Sequence, residues 1–394
     1  MIHHKGTPLP FSEKADVRMI AALTLIHFVG DFYSAFINPL IPSFVSHFSL
    51  TLTQVGIITG ASRFLAFVVQ PPIGYVADHY RTRFFILGGP LMVIVFTSLV
   101  GIAQDFWTLL FFVCIGSIGS SMFHPTVAGM VSTYSGRHLG FSMSVFNMGG
   151  TLAFGLGPLF ISAYVSRYDL AAMPWVMLPG LVPMVFLYFM APYPLSEGLK
   201  NFGLIGSLRE VFGTVWKPIL MIWMIMALRA FVSQSILTYL PVHYARLGYS
   251  LVSIGGVISA FTIAGAISGL IAGHLSDRIG HKPIFYTTHV ITPICILLML
   301  HLPGPWIYIS SFLTGFFALA ILPLGVALAQ QLAPKGKSMA SSLMMGFALG
   351  TGGVLTPVTG KLADIFGIVP VLNWIAVAPI IALVLVYYLP KSRF

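Results

Sequence analysis

Long uninterrupted apolar runs, parted by short polar or glycine-rich breaks, set the pattern of this chain. Twelve of them predict helices, at about 17–46, 52–77, 84–104, 106–133, 138–166, 171–191, 217–245, 250–275, 283–302, 305–332, 338–363 and 367–390. Each is near or above the roughly 20 residues that cross a bilayer core as an α-helix. The runs are continuous and do not alternate with a period of two, which excludes a membrane β-barrel. The one longer polar interval divides six spans from six. The predicted fold is therefore an all-α membrane protein of twelve transmembrane helices in two six-helix bundles: residues 1–192, a connector at 193–215, and residues 216–394. Glu197, Lys200, Arg209 and Glu210 border an apolar face at helical spacing in the connector, which reads as a helix lying on the membrane surface.

Composition agrees with this picture. Of 394 residues 57% are hydrophobic and 8% charged, against roughly 25% charged in soluble chains. The net charge of +10 is distributed as in a membrane protein rather than a nucleic-acid binder. Apart from Arg63 and Arg229, which lie within spans, only Arg167, Arg246 and Lys361 fall on the side opposite the termini; every other Lys and Arg falls on the terminal side. That asymmetry predicts a multi-pass protein of the inner (cytoplasmic) membrane with both termini and the connector in the cytoplasm. No basic stripe with interleaved aromatics marks a nucleic-acid surface. Cys114 and Cys295 lie inside apolar runs and read as small buried hydrophobes, not a disulfide or metal pair. The polar segment up to about Val17 lacks the pattern of a cleavable signal peptide.

The two halves repeat. Gly74 and Asp78, followed by Arg81 and Arg83, recur as Gly273 and Asp277, followed by Arg278 and Lys282, at an offset of 199 residues for both Gly and Asp. Gly136-Arg137 matches Gly336-Lys337, Gly150 matches Gly350, Pro158 matches Pro357, and Pro42 matches Pro241 at similar offsets. Repeated halves imply a substrate site between them near the bilayer midplane, reached by alternating access. The duplicated stretch resembles the loop signature of the major facilitator superfamily. That resemblance implies a cytoplasmic gate in which Gly74, Asp78, Arg81, Arg83, Gly273, Asp277 and Arg278 latch the halves together. Gly149 with Gly157-Pro158 is similar in part to the fifth-helix motif of exporters in that superfamily. The runs Ile26-His27-Phe28-Val29-Gly30-Asp31, Phe123-His124-Pro125 and Gly346 to Gly353 resemble its fosmidomycin-resistance branch, and this implies proton-driven efflux of small anionic or phosphonate-like compounds.

Ionisable side chains at the bilayer centre are costly, about 2.5–3.5 kcal/mol on insertion scales, and so mark function. Asp31, Arg63, His124 and Arg229 each stand 12 to 15 residues from a charge at the terminal side, which places all four roughly 18–22 Å deep at 1.5 Å per residue. Opposite charges on adjacent spans predict an Asp31–Arg63 pair. His27, four residues before Asp31, shares its helix face and completes a predicted proton-coupling set of Asp31, His27 and His124. Without a third ligand at fixed spacing, no metal site is expected. Arg229 is predicted to face Asp31 across the halves. With Arg63 it favours an anionic substrate, in a site walled by Tyr33, Asn38, Gln70, Asn147, Gln234 and Tyr239.

The expected function is a proton-coupled antiporter that exports a small anionic or amphiphilic solute. Its partners are that solute, protons and the lipid bilayer, and a monomer is expected. No Gly-x-x-x-x-Gly-Lys-Ser/Thr motif is present, so no nucleotide or other cofactor is expected and the proton gradient supplies the energy. A proton-coupled importer of an organic anion shares these features. Neither an intramembrane enzyme built on His27, Asp31 and His124 nor a non-transporting sensor requires both the duplicated latch and the midplane charges.

Overall fold

The computed structural model describes residues 15–70, 73, 83–136, 139–191, 212–333 and 337–389. These residues form eleven helices long and apolar enough to span a bilayer, with a shorter apolar helix, Leu52–Val68, completing twelve. In chain order they are α1 (Val17–Phe48), α2 (Leu52–Val68), α3 (Phe84–Ile102), α4 (Phe106–Tyr134), α5 (Leu139–Tyr168), α6 (Leu170–Met190), α7 (Trp216–Arg246), α8 (Leu251–Ile279), α9 (His281–His301), α10 (Trp306–Leu332), α11 (Met339–Phe366) and α12 (Ile368–Tyr388). The predicted spans coincide with them to within a few residues, except that the end of the second falls outside the described residues. Most of the connector, 192–211, also lies outside them.

Local chemistry sets the ends and the bends. α1 consists of Val17–Ser34 and Ile37–Phe48, broken at Ala35 and Phe36. Pro39 cannot donate to the carbonyl of residue 35, so the break falls where that hydrogen bond is missing. α2 begins with a capping box between Thr51 and Gln54 and passes into a π-helical turn at Phe64–Val68, directly after Arg63. Such turns displace the register of the residues around them and recur at functional sites. α4 runs unbroken through Pro125.

The repeat predicted from the sequence extends to the backbone. Ser49 (φ 51°) and Gly248 (φ 85°) adopt left-handed turns 199 residues apart, and Thr51 and Ser250, at the same offset, cap the second helix of each half. Arg83 donates from Nη1 to the Tyr188 carbonyl at 2.9 Å, and Lys282 donates from Nζ to the Tyr387 carbonyl at 2.9 Å. Both partners are again offset by 199. Each cation therefore ties the start of the third helix of its half to the end of the sixth.

The halves meet along α2 against α11 and α5 against α8, with the second segment of α1 against α7. Small residues allow the approach: a Cβ on Gly56 would meet the Pro357 Cα at 2.7 Å, and one on Gly255 would meet the Pro158 carbonyl at 2.7 Å. Hydrogen bonds cross the interface toward the end opposite the termini. Asp364 of α11 accepts from the backbone N–H groups of Leu52 (2.8 Å) and Thr53 (2.9 Å) and from the Thr53 hydroxyl (2.5 Å), so it caps α2 from the other half. Tyr239 of α7, fully buried, donates to the Thr356 carbonyl at 2.6 Å beside Leu52.

Candidate functional site

Three of the predicted residues meet in one cluster inside the N-terminal half. His27 and Asp31 lie one turn apart on α1, and α4 brings His124 alongside. His27 Nε2 stands 3.0 Å from Asp31 Oδ2, and His124 Nε2 stands 2.9 Å from Asp31 Oδ1. One carboxylate is thus clasped between two imidazoles. Asp31 and His27 are almost fully enclosed, whereas the His124 side chain is 24% exposed and forms the open side.

Packing fixes both rings. His27 stacks on Phe146 of α5 with centroids 4.1 Å apart, and His124 stacks on Phe123 at the same distance. The predicted Gly150 has a definite role here, because a Cβ at that position would lie 2.6 Å from the His27 ring and 2.8 Å from Asp31 Oδ2. Gly30 likewise makes room for Phe123. The second nitrogen of each imidazole is anchored: His27 Nδ1 lies 3.0 Å from the Phe146 carbonyl and His124 Nδ1 lies 2.8 Å from the Ser120 carbonyl. A carbonyl only accepts, so each Nδ1 carries its hydrogen.

That anchoring has a chemical consequence. A neutral imidazole with hydrogen on Nδ1 presents a lone pair at Nε2, and both Nε2 atoms face the carboxylate. Each contact is attractive only with a proton between the two atoms, on either partner. Filling both contacts would take two protons beyond the Nδ1 hydrogens and give the cluster a net charge of +1; with one fewer, a lone pair would face an oxygen. The three donor atoms also lie within 4.8 Å of one another, a type and spacing compatible with a divalent metal ion. The sequence expectation of no metal site rested on a missing third ligand, and His124 supplies that third donor from another helix.

The other predicted residues divide. Asp31 forms no ion pair with Arg63, contrary to expectation, because the two histidines occupy its oxygens. Arg63 lies at the interface of the halves, with Gly353 of α11 packed on its Cβ and its guanidinium 5.8 Å from the Phe67 ring centroid, close enough to Asp31 to sense its charge. Arg229 does not look across at Asp31. It borders a cavity within the C-terminal half, beside Thr288 and His289 of α9. Tyr33 and Tyr239 do not wall an open site: Tyr33 is buried and donates to the Val176 carbonyl at 2.5 Å, and Tyr239 bridges the halves. Gln70 turns back to the Ala66 carbonyl at 2.6 Å. Asn147 is exposed beside Phe146, Asn38 is half-buried, and Gln234 is buried in α7.

Of the predicted cytoplasmic gate, Gly74, Asp78, Arg81 and the Asp277 side chain lie outside the described residues. Arg83 donates to Tyr188 within its own half, Gly273 has open space at its Cα, and Arg278 is exposed at the end of α8. Sequence reasoning missed the Asp364 cap and His289. Asp364 sits near Lys361 at a span end, where a solvated acid is unremarkable; His289, mid-span in α9, was the available signal.

Comparison with known proteins places this geometry. The chain is 26% identical over 381 residues to the fosmidomycin resistance protein of Escherichia coli K12, covering 95% of this chain and 93% of that one. It is 23% identical over 301 residues to multidrug resistance protein MdtG of Citrobacter koseri, covering 73% of each. Its fold superposes with a TM-score of 0.81, at 16% identity and over 93% of this chain and 95% of the other, on a bacterial homologue of the human lysosomal transporter Spinster. The sequence model of the Major Facilitator Superfamily matches residues 23–340. With twelve helices in two repeated halves, a charge cluster deep in one of them and that match across most of its length, this chain belongs to the Major Facilitator Superfamily.

Proposed function

We propose that this transporter exports a small amphiphilic or anionic solute in exchange for protons, by alternating access across the inner membrane with both termini in the cytoplasm. The observation that carries the reading is the Asp31 carboxylate held between His27 and His124 deep in the span, with no partner among the described residues other than these two imidazoles. With both contacts protonated, both carboxylate oxygens are engaged. Loss of one proton releases an oxygen on the half-open His124 side to a hydrogen-bond donor on the solute. Proton and solute thus compete for one group, which is the requirement of antiport. Arg63, at the interface of the halves, supplies a recognition point for the solute's anionic or acceptor end. The printed names of the relatives, a fosmidomycin resistance protein and a multidrug resistance protein, support export.

A second reading follows from the missing Asp31–Arg63 pair. The doubly protonated cluster, at +1 and near Arg63, would draw an anion in together with protons, as in symport. The sign of the pH effect separates the two. Reconstituted in proteoliposomes with an imposed pH gradient, an antiporter binds solute more weakly as pH falls and moves it against proton flow. A symporter shows tighter binding at low pH and co-directional movement. Transport abolished by a chelator and restored by a divalent metal would instead assign the cluster to a metal ion and remove the proton role.

A further inference from the structure

Among the described residues, the C-terminal half holds a cation without a counter-charge. Arg229 is 7% exposed, its Nε is buried without a hydrogen-bond partner, and no carboxylate lies within ion-pairing distance among the described residues. A guanidinium does not shed its charge under biological conditions, and a buried charge is expensive unless it is paired. Beside it lies a cavity of ≈ 20 Å³ between α7, α9, α10 and α12, bordered by Arg229, Thr288, His289, Thr292, Phe317 and Pro379.

The other polar hydrogens of the cavity wall are committed. Thr288 Oγ1 donates to the Ile284 carbonyl at 2.8 Å, Thr292 Oγ1 donates to the Thr288 carbonyl at 2.7 Å, and His289 Nδ1 donates to the Phe285 carbonyl at 2.7 Å. The donor left facing the space is the guanidinium. We propose that this cavity binds a small monovalent anion of halide size, which neutralises Arg229. A water molecule would satisfy a hydrogen bond there but leave the charge uncompensated. The small space beside the guanidinium suits a single-atom anion better than a tetrahedral oxoanion. The cavity lies in the opposite half from the His27–Asp31–His124 cluster, so the proposal does not rest on the transport reading.

The test uses the purified full-length protein in detergent, exchanged into sodium gluconate and titrated with chloride or bromide at constant ionic strength. Chloride and bromide should each raise the melting temperature saturably by a few degrees, and added gluconate should not. Arg229→Gln should melt at the same temperature in all three salts, while His124→Gln keeps the halide response. A wild-type midpoint indifferent to halide overturns the proposal, as does a full halide response in Arg229→Gln or a larger response to sulfate than to chloride. If Arg229→Gln does not fold, crystals of the wild-type protein grown in bromide decide the matter. An anomalous peak beside Arg229 supports the site, and its absence overturns it.

Discussion

At the scale of single residues, the cluster rests on one carboxylate and one missing side chain. Asp31→Asn keeps the shape but replaces one acceptor oxygen with an NH₂ group and cannot bind a proton in the working range. Uphill transport in proteoliposomes driven by a pH gradient should fall to the level of empty vesicles, while solute exchange without a gradient survives; undiminished uphill transport would dismiss the proton role. Gly150→Ala tests the packing that holds the cluster together, since the added Cβ meets the His27 ring at 2.6 Å and Asp31 Oδ2 at 2.8 Å. Overpacking of this kind costs roughly 1–3 kcal/mol. The variant should fold, melt a few degrees lower and shift the pH profile of transport; an unchanged profile would show that α5 does not set the cluster's geometry. His27 and Asp31 were legible in the sequence as a pair because helical spacing fixes which residues share a face. Their true partner was not, because whether His124 or Arg63 reaches Asp31 depends on the rotation of neighbouring helices, which apolar runs in lipid leave unspecified.

At the scale of elements, the join between α2 and α11 shows the same division. The sequence located both helices and a glycine-rich stretch in α11, where Gly350 recurs as Gly150 and Gly352 and Gly353 crowd the same span; of these, Gly350 and Gly353 pack on α2. It did not show that Asp364 would cap α2 from the opposite half, because capping across an interface depends on which loop end lies beneath which helix. The cap joins elements that must part whenever this side opens. Asp364→Asn turns an NH₂ group toward one of the donors at Leu52 or Thr53 and removes the charge that favours the helix N-terminus. Asp364 is exposed, so solvent screens the loss to about 1 kcal/mol, or roughly a fivefold shift toward the open state. A cysteine-reactive probe placed in the interface near Ser235 should label this variant several times faster than the parent. Equal rates would mean that the cap does not hold the interface shut. Tyr239→Phe, which removes the hydroxyl's hydrogen bond to the Thr356 carbonyl, should act in the same direction.

At the scale of the whole molecule, the repeat supplies two bundles, and in the proposed alternating-access cycle the interface between them supplies the parts that exchange partners. Within each bundle the third and sixth helices are bound by matching cations, Arg83 to Tyr188 and Lys282 to Tyr387, contacts that would hold each half together through the proposed cycle. Between bundles, the hydrogen bonds described from Asp364 and Tyr239 gather toward the end opposite the termini, so that end is the closed one in this conformation. Transport requires it to open. Covalent closure there should therefore trap the protein with its solute site accessible from the side of the termini. With cysteines placed at Thr53 and Asp364, whose side chains touch at 2.5 Å, and joined by a short bifunctional thiol cross-linker, transport should stop. Binding of solute to protein in detergent should persist, and a cleavable linker followed by reduction should restore flux. The native Cys114 and Cys295 lie within spans and serve as the control, since the parent protein treated identically should keep its activity. Transport that continues through a completed cross-link would mean that the halves do not separate at this end, and the alternating-access mechanism would lose its outer gate.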